Sequence, residues 1–339
     1  MSIKRKLSLE SSRSKIVVLV ILITLLIVSF IASLLLGYIK TSYVDLINTF
    51  INYNNSLEHI VLKTSRISRA TIALFIGASL SLSGVLMQTL TKNPMASPGL
   101  LGVNSGAAFF MVFTYSFFPS VSQNYIILFS FIGAAMAVVL VYTLAGGIRG
   151  SINTFDLILA GAAISAFFIS LTQVVLYKDQ KTMEEVMFWL TGSVEGRSIE
   201  SLKIVIPYMV VCWIICYLIS GKLNIFFLGE EIAKGLGLNI ELIKLQILIL
   251  VVIMAGASVA VAGPISLVGI IIPHVTRALV GSEFKWVVPF SAVLGSIFLL
   301  LADIGSRFIV YPKDIPVGAV TAIMGAPFFV YLARKVENK

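Results

Sequence analysis

Ten apolar runs follow one another along this 339-residue chain. Most are long enough to cross a hydrocarbon layer about 30 Å thick, which takes roughly 20 helical residues. They lie at about 16–36, 67–90, 99–118, 125–145, 155–177, 202–219, 240–261, 265–279, 287–305 and 316–332. Only 12% of the residues are charged and 58% are hydrophobic, about half the charge of an ordinary soluble domain. A chain so poor in polar side chains cannot cover its own surface in water, so lipid is the solvent for most of it. In lipid every backbone group must be satisfied within the chain, and runs of this length do that as helices. The expected fold is all-α, a polytopic membrane protein of about ten transmembrane helices, read as a single membrane domain over 1–339.

The first run keeps its place as a helix: it exceeds a signal-peptide core, and no small-residue cleavage site follows it. An even number of spans puts both termini on one side. With the basic N-terminal segment 1–15 in the cytoplasm, that side carries fifteen of the 25 basic residues and seven of the 16 acidic ones. The opposite side is close to neutral, so the positive-inside bias supports this orientation. The formal charge of +9 is scattered between apolar runs rather than gathered on a basic face, which argues against a nucleic-acid partner.

Two segments outside the spans are long enough to have a role. One, 178–203, contains Met183–Leu190, which reads as an amphipathic interfacial helix with Trp189 at headgroup depth. The other, within 221–240, reads GKLNIFFLGEEIAKGLGL; apolar residues alternate with Glu230, Glu231 and Lys234 at helical spacing, and glycines punctuate it. It suits short helices lying on the cytoplasmic face.

Small residues (Gly77, Ser79, Ser81, Ser83 and Gly84 in one span, Gly161, Ala162, Ala163 and Ser165 in another) mark close helix packing and no more. Charges in or beside spans are costly, and there are few: Arg66, Arg69, Asp156, Asp303 and Arg307. An ion-coupled carrier places ionisable groups near the midplane, and the middles of these spans are nearly free of them. Arg66 and Arg69, three apart, share a helix face at the outer mouth of the second span. Snorkelling explains one such arginine; two of them with Arg307 also suit a docking surface for carboxylates. No catalytic, metal-binding or phosphate-loop motif occurs: His59 and His274 lie far apart, and Gly221-Lys222 lacks both the preceding glycine and the following hydroxyl. Cys212 and Cys216 read as unpaired core residues, and His274 as a structural residue at a helix end. The chain is therefore not expected to be an enzyme, and any ATP chemistry belongs to a partner.

From Arg66 to Gly106 the sequence reads RISRATIALFIGASLSLSGVLMQTLTKNPMASPGLLGVNSG. This closely resembles the signature of the FecCD family, the permeases that import iron–siderophores, haem and cobalamin. The stretches FWLTGS, LGEEIAKGLGL, AGPISLVGIIIPHVTRALVG, LLLADIGSRF and DIPVGAVTAIMGAPFF extend the similarity over nearly all of the chain after the first span. The resemblance implies a type II ABC importer permease fold, a second permease subunit (an identical copy or a paralogue), two cytoplasmic ATPase subunits that bind ATP and Mg, and an extracytoplasmic substrate-binding protein. It implies that Arg66, Arg69 and Arg307 dock that binding protein. It matches Leu228, Gly229, Glu230, Glu231, Ala233, Leu236 and Gly237 to the segment that couples to the ATPase, and Asn153 and Thr154 to a cytoplasmic gate. An iron–siderophore is the first choice of cargo, with haem or cobalamin as alternatives. Ser68 stands where the family has proline between the two arginines, Asp156 where relatives often have a basic or neutral residue, and Asp314 where they often have glutamate.

Overall fold

The computed structural model describes residue 9 and residues 11–118, 120–147, 154–178, 189–310 and 314–337, without the side chains of 123, 154 and 329–337. Thirteen helices occur among the described residues: α1 (Ser12–Leu35), α2 (Tyr43–Ile51), α3 (Leu57–Thr91), α4 (Val103–Phe117), α5 (Gln123–Leu144), α6 (Thr154–Lys178), α7 (Ile199–Leu218), α8 (Ser220–Phe227), α9 (Glu230–Gly235), α10 (Ile240–Ala262), α11 (Val268–Val280), α12 (Phe284–Ser306) and α13 (Val317–Glu337). Each of the ten apolar runs is a helix. Seven are long and apolar enough to span alone; α4, α11 and the apolar stretch Val317–Phe328 of α13 are shorter.

Helix α3 is the axis of the bundle. Its apolar stretch is almost wholly buried, and α10, α11 and α12 pack around it. Helices α4, α5 and α6 form a second group that reaches α3 through α10, while α1 lies on α12. The small residues allow this closeness. A methyl group on Gly77 would lie 2.3 Å from the Gly295 carbonyl oxygen on α12, and one on Gly84 2.0 Å from the Gly269 oxygen on α11. Backbones at this separation gain the dispersion and polar contacts that replace the hydrophobic drive missing in lipid. Ser81 Oγ donates to the Ser291 carbonyl at 2.7 Å and Ser296 Oγ to the Leu74 carbonyl at 2.8 Å, tying α3 to α12.

Three expectations are corrected. The second span does not begin at Ile67: helix runs back to Leu57 through a π turn at Leu62–Arg66. Serine in place of proline at 68 permits this, since its backbone N–H is retained, and Ser68 Oγ donates to the Thr64 carbonyl at 3.3 Å. Trp189 does not project from an exposed interfacial helix face. It is 3% exposed within an apolar core cluster. The segment Trp189–Ser193 is a staple: Ser193 N donates to Ala262 O and Gly318 N to Gly192 O, each at 2.8 Å, joining the end of α10 to the start of α13. Gly192 has φ +75°, and a methyl there would meet the Pro264 carbonyl oxygen at 2.5 Å, so both conformation and space require glycine. Finally, His274 lies mid-helix in α11, its ring edge-on to Phe328, rather than at a helix end. The expected interfacial helix over 183–188 and the gate residue Asn153 fall outside the described residues, and Thr154 is described by its backbone alone.

Candidate functional site

Two groups of polar residues sit at opposite ends of the bundle. The first gathers around Asp303, in the last turn of α12 and 0% exposed. Arg69 on α3 donates to Asp303 Oδ1 from Nε at 3.0 Å and from Nη2 at 2.8 Å, and its Nη1 donates to Asp314 Oδ2 at 2.5 Å. Arg307 donates from Nη2 to Asp303 Oδ2 and to Ser33 Oγ (2.8 Å), and from Nη1 to the Ser33 and Leu36 carbonyls at 2.7 and 2.6 Å. Among the described residues Arg66 gives its protons to neutral oxygens: the Leu34 and Leu35 carbonyls at 2.8 and 2.9 Å, the Ile39 carbonyl and Thr41 Oγ1. The cluster thus clamps the C-terminal end of α1, the start of α3, the end of α12 and the segment before α13.

The three arginines expected on a docking face come together here, but they point inward. Their exposures are 4% for Arg66, 7% for Arg69 and 4% for Arg307. The helical spacing of Arg66 and Arg69 fixed a common side of α3; carboxylates more than two hundred residues away decide that this side faces the interior. A cavity of about 270 Å³ remains beside them, lined by Tyr38, Arg66, Arg69, Glu195, Arg307 and Asp314 among others. Glu195 and Arg197 reach this end from the segment before α7. Burial pushes the Glu195 carboxyl up to about 7; its hydrogen bond to Asp314 and that residue's charge add to the rise, and Arg69 opposes it. Burial brings the Arg197 guanidinium down to about 10. Sequence reasoning had no role for Asp303 or Glu195. Asp303 carried a signal, as an acid inside an apolar run; Glu195 carried none.

At the opposite end, α8 and α9 form the short helices expected in 221–240. Leu228, Ile232 and Leu236, four apart, are 60%, 54% and 62% exposed and make an apolar stripe, while Ala233 beneath is fully buried. Gly229 at φ +126° and Gly237 at φ +80° frame α9. Glu230 accepts from Lys244 Nζ of α10 at 3.1 Å, which anchors the α9 start, and Glu231 is exposed. The N-terminal end of α1 shares this end of the bundle. Lys15 Nζ lies 3.9 Å from Glu283 Oε2, and Asn224 Oδ1 on α8 accepts from Phe284 N at 2.9 Å. Nearby, Arg277 on α11 donates to Gln88 Oε1 on α3, and Gln88 Nε2 donates to the Gly269 and Ile270 carbonyls. Among the described residues no group of three or more His, Cys, Asp or Glu side chains is placed to hold a metal ion.

The profile of the FecCD transport family matches residues 25–335. The chain belongs to the FecCD transport family. It is 45% identical over 326 residues to the Bacillus subtilis (strain 168) protein named "Probable siderophore transport system permease protein YfiZ", covering 96% of this chain and 98% of that one. It is 38% identical to the Fe(3+)-citrate import system permease protein YfmD of the same organism, covering 96% and 97%. Among solved structures, the one described as "An inward-facing conformation of a putative metal-chelate type ABC transporter" superposes with a TM-score of 0.83 at 29% identity, covering 94% of this chain and 99% of that one.

Proposed function

We propose that this FecCD-family chain is the membrane permease subunit of a bacterial ABC importer carrying a ferric chelate, an iron–siderophore first, across the cytoplasmic membrane. The alignment with YfiZ over almost the full length of both chains carries this reading. The permease works as one membrane domain paired with a second permease subunit. Helix α6, which exposes Phe155, Leu159, Phe167 and Val174, and α13, which exposes Ile323 and Met324, offer the apolar faces for such a pairing. Two ATPase subunits supply the energy and hold the ATP and Mg; this chain brings no cofactor of its own.

The end with Lys15, Lys244, Arg277 and Lys285 faces the cytoplasm, as the positive-inside bias favours, and there the Leu228–Ile232–Leu236 stripe seats in an ATPase groove. Asn153 and Thr154 gate the pathway on that side. The arginine end faces outward and receives the binding protein. Arg69 and Arg307 are held by the chain's own carboxylates, whereas Arg66 has only neutral acceptors among the described residues. Of the three, Arg66 is therefore the one an incoming carboxylate gains most by engaging, because a charged acceptor outcompetes carbonyls. Arg69 and Arg307 support it from within the cluster.

The test is reconstitution of the permease with its ATPase and binding protein in liposomes, followed by uptake of labelled ferric siderophore. ATP-dependent accumulation is expected. Transport by the permease alone on a proton or sodium gradient overturns the reading, and uptake of haem or cobalamin in place of the ferric chelate overturns the cargo assignment.

A further inference from the structure

The outer-mouth cluster holds one acid more than its arginine pairs use. Asp314 Oδ2 accepts from Arg69 Nη1, but Asp314 Oδ1 is buried with no donor among the described residues, and the side chain as a whole is only 10% exposed. Another acid, Glu195, lines the same cavity as Asp314 and interacts with it electrostatically. Two carboxylates cannot hydrogen-bond to each other, because neither has a donor. They form a hydrogen bond only when a proton lies between them.

We propose that Glu195 and Asp314 form a proton-binding site that sets the charge of the outer mouth. Asp314, already accepting from Arg69, is the ionised partner, and Glu195 carries the proton and donates it to Asp314. When the proton leaves, it passes to water through the cavity that both residues line, and two negative charges remain facing that cavity. A metal ion is the wrong occupant, since Arg66, Arg69 and Arg307 line the same space. The other charged groups facing Glu195 are Asp303 on α12 and Arg197 on its own segment; Tyr115 on α4 is linked to Arg197. The elevated titration of Glu195, caused first by burial, agrees with this geometry.

The consequence is a charge switch. With the proton in place, Arg66, Arg69, Arg197 and Arg307 outnumber the ionised acids Asp303 and Asp314 by two; without it, the excess falls to one. A mouth that receives carboxylates accepts them better in the protonated state. That last step rests on the docking reading above, whereas the proton site does not.

The experiment uses the permease–ATPase complex in lipid nanodiscs. An infrared pH titration is expected to show a protonated-carboxyl band that disappears with a midpoint near about pH 7. Glu195→Gln removes the band. Asp314→Asn, which takes away the neighbouring negative charge, keeps it but lowers the midpoint by about one unit, a tenfold weaker hold on the proton. Absence of any carboxyl band titrating between about pH 6 and about pH 8 overturns the site, as does a band that survives Glu195→Gln. In parallel, binding-protein affinity is expected to fall several-fold from the lower to the higher pH in the wild type and to stay flat in Glu195→Gln. A titrating band with pH-independent docking refutes the switch; no docking at any pH refutes the docking reading while the spectrum still decides the proton site.

Discussion

Replacing Asp303 by Asn tests whether the ion cluster holds the outer mouth together. The side chain accepts three hydrogen bonds, two from Arg69 on Oδ1 and one from Arg307 on Oδ2, with no solvent exposure. Asparagine keeps the shape but removes the charge and turns an NH2 towards one guanidinium. Removing one partner of a buried ion pair costs about 3–5 kcal/mol, chiefly because a charge stays buried and uncompensated. Here both arginines keep other acceptors, Asp314 for Arg69 and the Ser33 and Leu36 carbonyls for Arg307, so the lower end applies. A loss of about 3 kcal/mol, roughly a hundredfold in the folded-to-unfolded ratio, is expected. SDS titration of the purified chain in mixed micelles measures it. A double-mutant cycle with Arg307→Gln should then show that this second substitution costs less in the Asp303→Asn background than alone, by about 1–3 kcal/mol. A loss under about 1 kcal/mol with additive single effects refutes the keystone role of Asp303.

Three further outcomes follow from the geometry. Gly84→Ala should cost at least about 1–3 kcal/mol or prevent assembly, because its methyl would sit 2.0 Å from the Gly269 carbonyl oxygen, whereas Gly235→Ala, with nothing within 4 Å, should leave folded yield and SDS resistance unchanged. Ile232→Asp and Leu236→Asp should abolish co-purification of the ATPase while the permease still inserts and elutes as wild type, since both side chains are more than half exposed. Glu195 binds its proton more tightly folded than unfolded, so the stability it contributes is full below its ordinary value of 4.5 and is lost as pH rises through about 7. The side chain is half-buried, so screening reduces the full linkage to about 1 kcal/mol; the wild type should melt lower as pH rises past neutrality, and Glu195→Gln should not.

Helix identity was legible because hydrophobic length is a direct physical requirement of the bilayer, and all ten runs became helices. Helix α2 left a local signal that apolar length does not report: Ser42 and Asp45 form a capping box, Ser42 N donating to Asp45 Oδ2 at 2.8 Å and Asp45 N to Ser42 Oγ at 3.2 Å. The extension of α3 to Leu57 was not legible, because LEHIVLKTSR is too polar to read as a span and stays helical where Arg66 returns its protons to the end of α1. The arginine cluster was half legible. A spacing of three put Arg66 and Arg69 on one face, but whether that face meets water or protein depends on Asp303 and Asp314, which only the assembled bundle brings near. The short helices of 221–240 were legible, being local, periodic and punctuated by glycines; the stripe was legible in part, since the family resemblance marks Leu228 and Leu236 without Ile232, and Ala233, marked with them, is buried.

The placement of charge also limits how the bundle can move. Arg69 joins α3 to α12 through Asp303, and the Gly77–Gly295 and Gly84–Gly269 approaches lock α3 to α12 and α11 with no room for a methyl group. Separating these helices means breaking buried ion pairs at several kcal/mol each and opening backbone contacts that lipid tails cannot replace. Helices α3, α11 and α12 therefore travel together in any rearrangement driven by a partner. The apolar stretch of α6 is mostly exposed, and α13 meets the rest chiefly through α11, α12 and the Gly192–Gly318 staple. Alternating access in this fold is cheapest if the packed trio stays rigid and α6 and α13 shift against it. Spin labels placed on α3 and α12 should then keep their separation through the ATP cycle, while a pair on α6 and α12 changes distance; a change between α3 and α12 rules out the rigid trio.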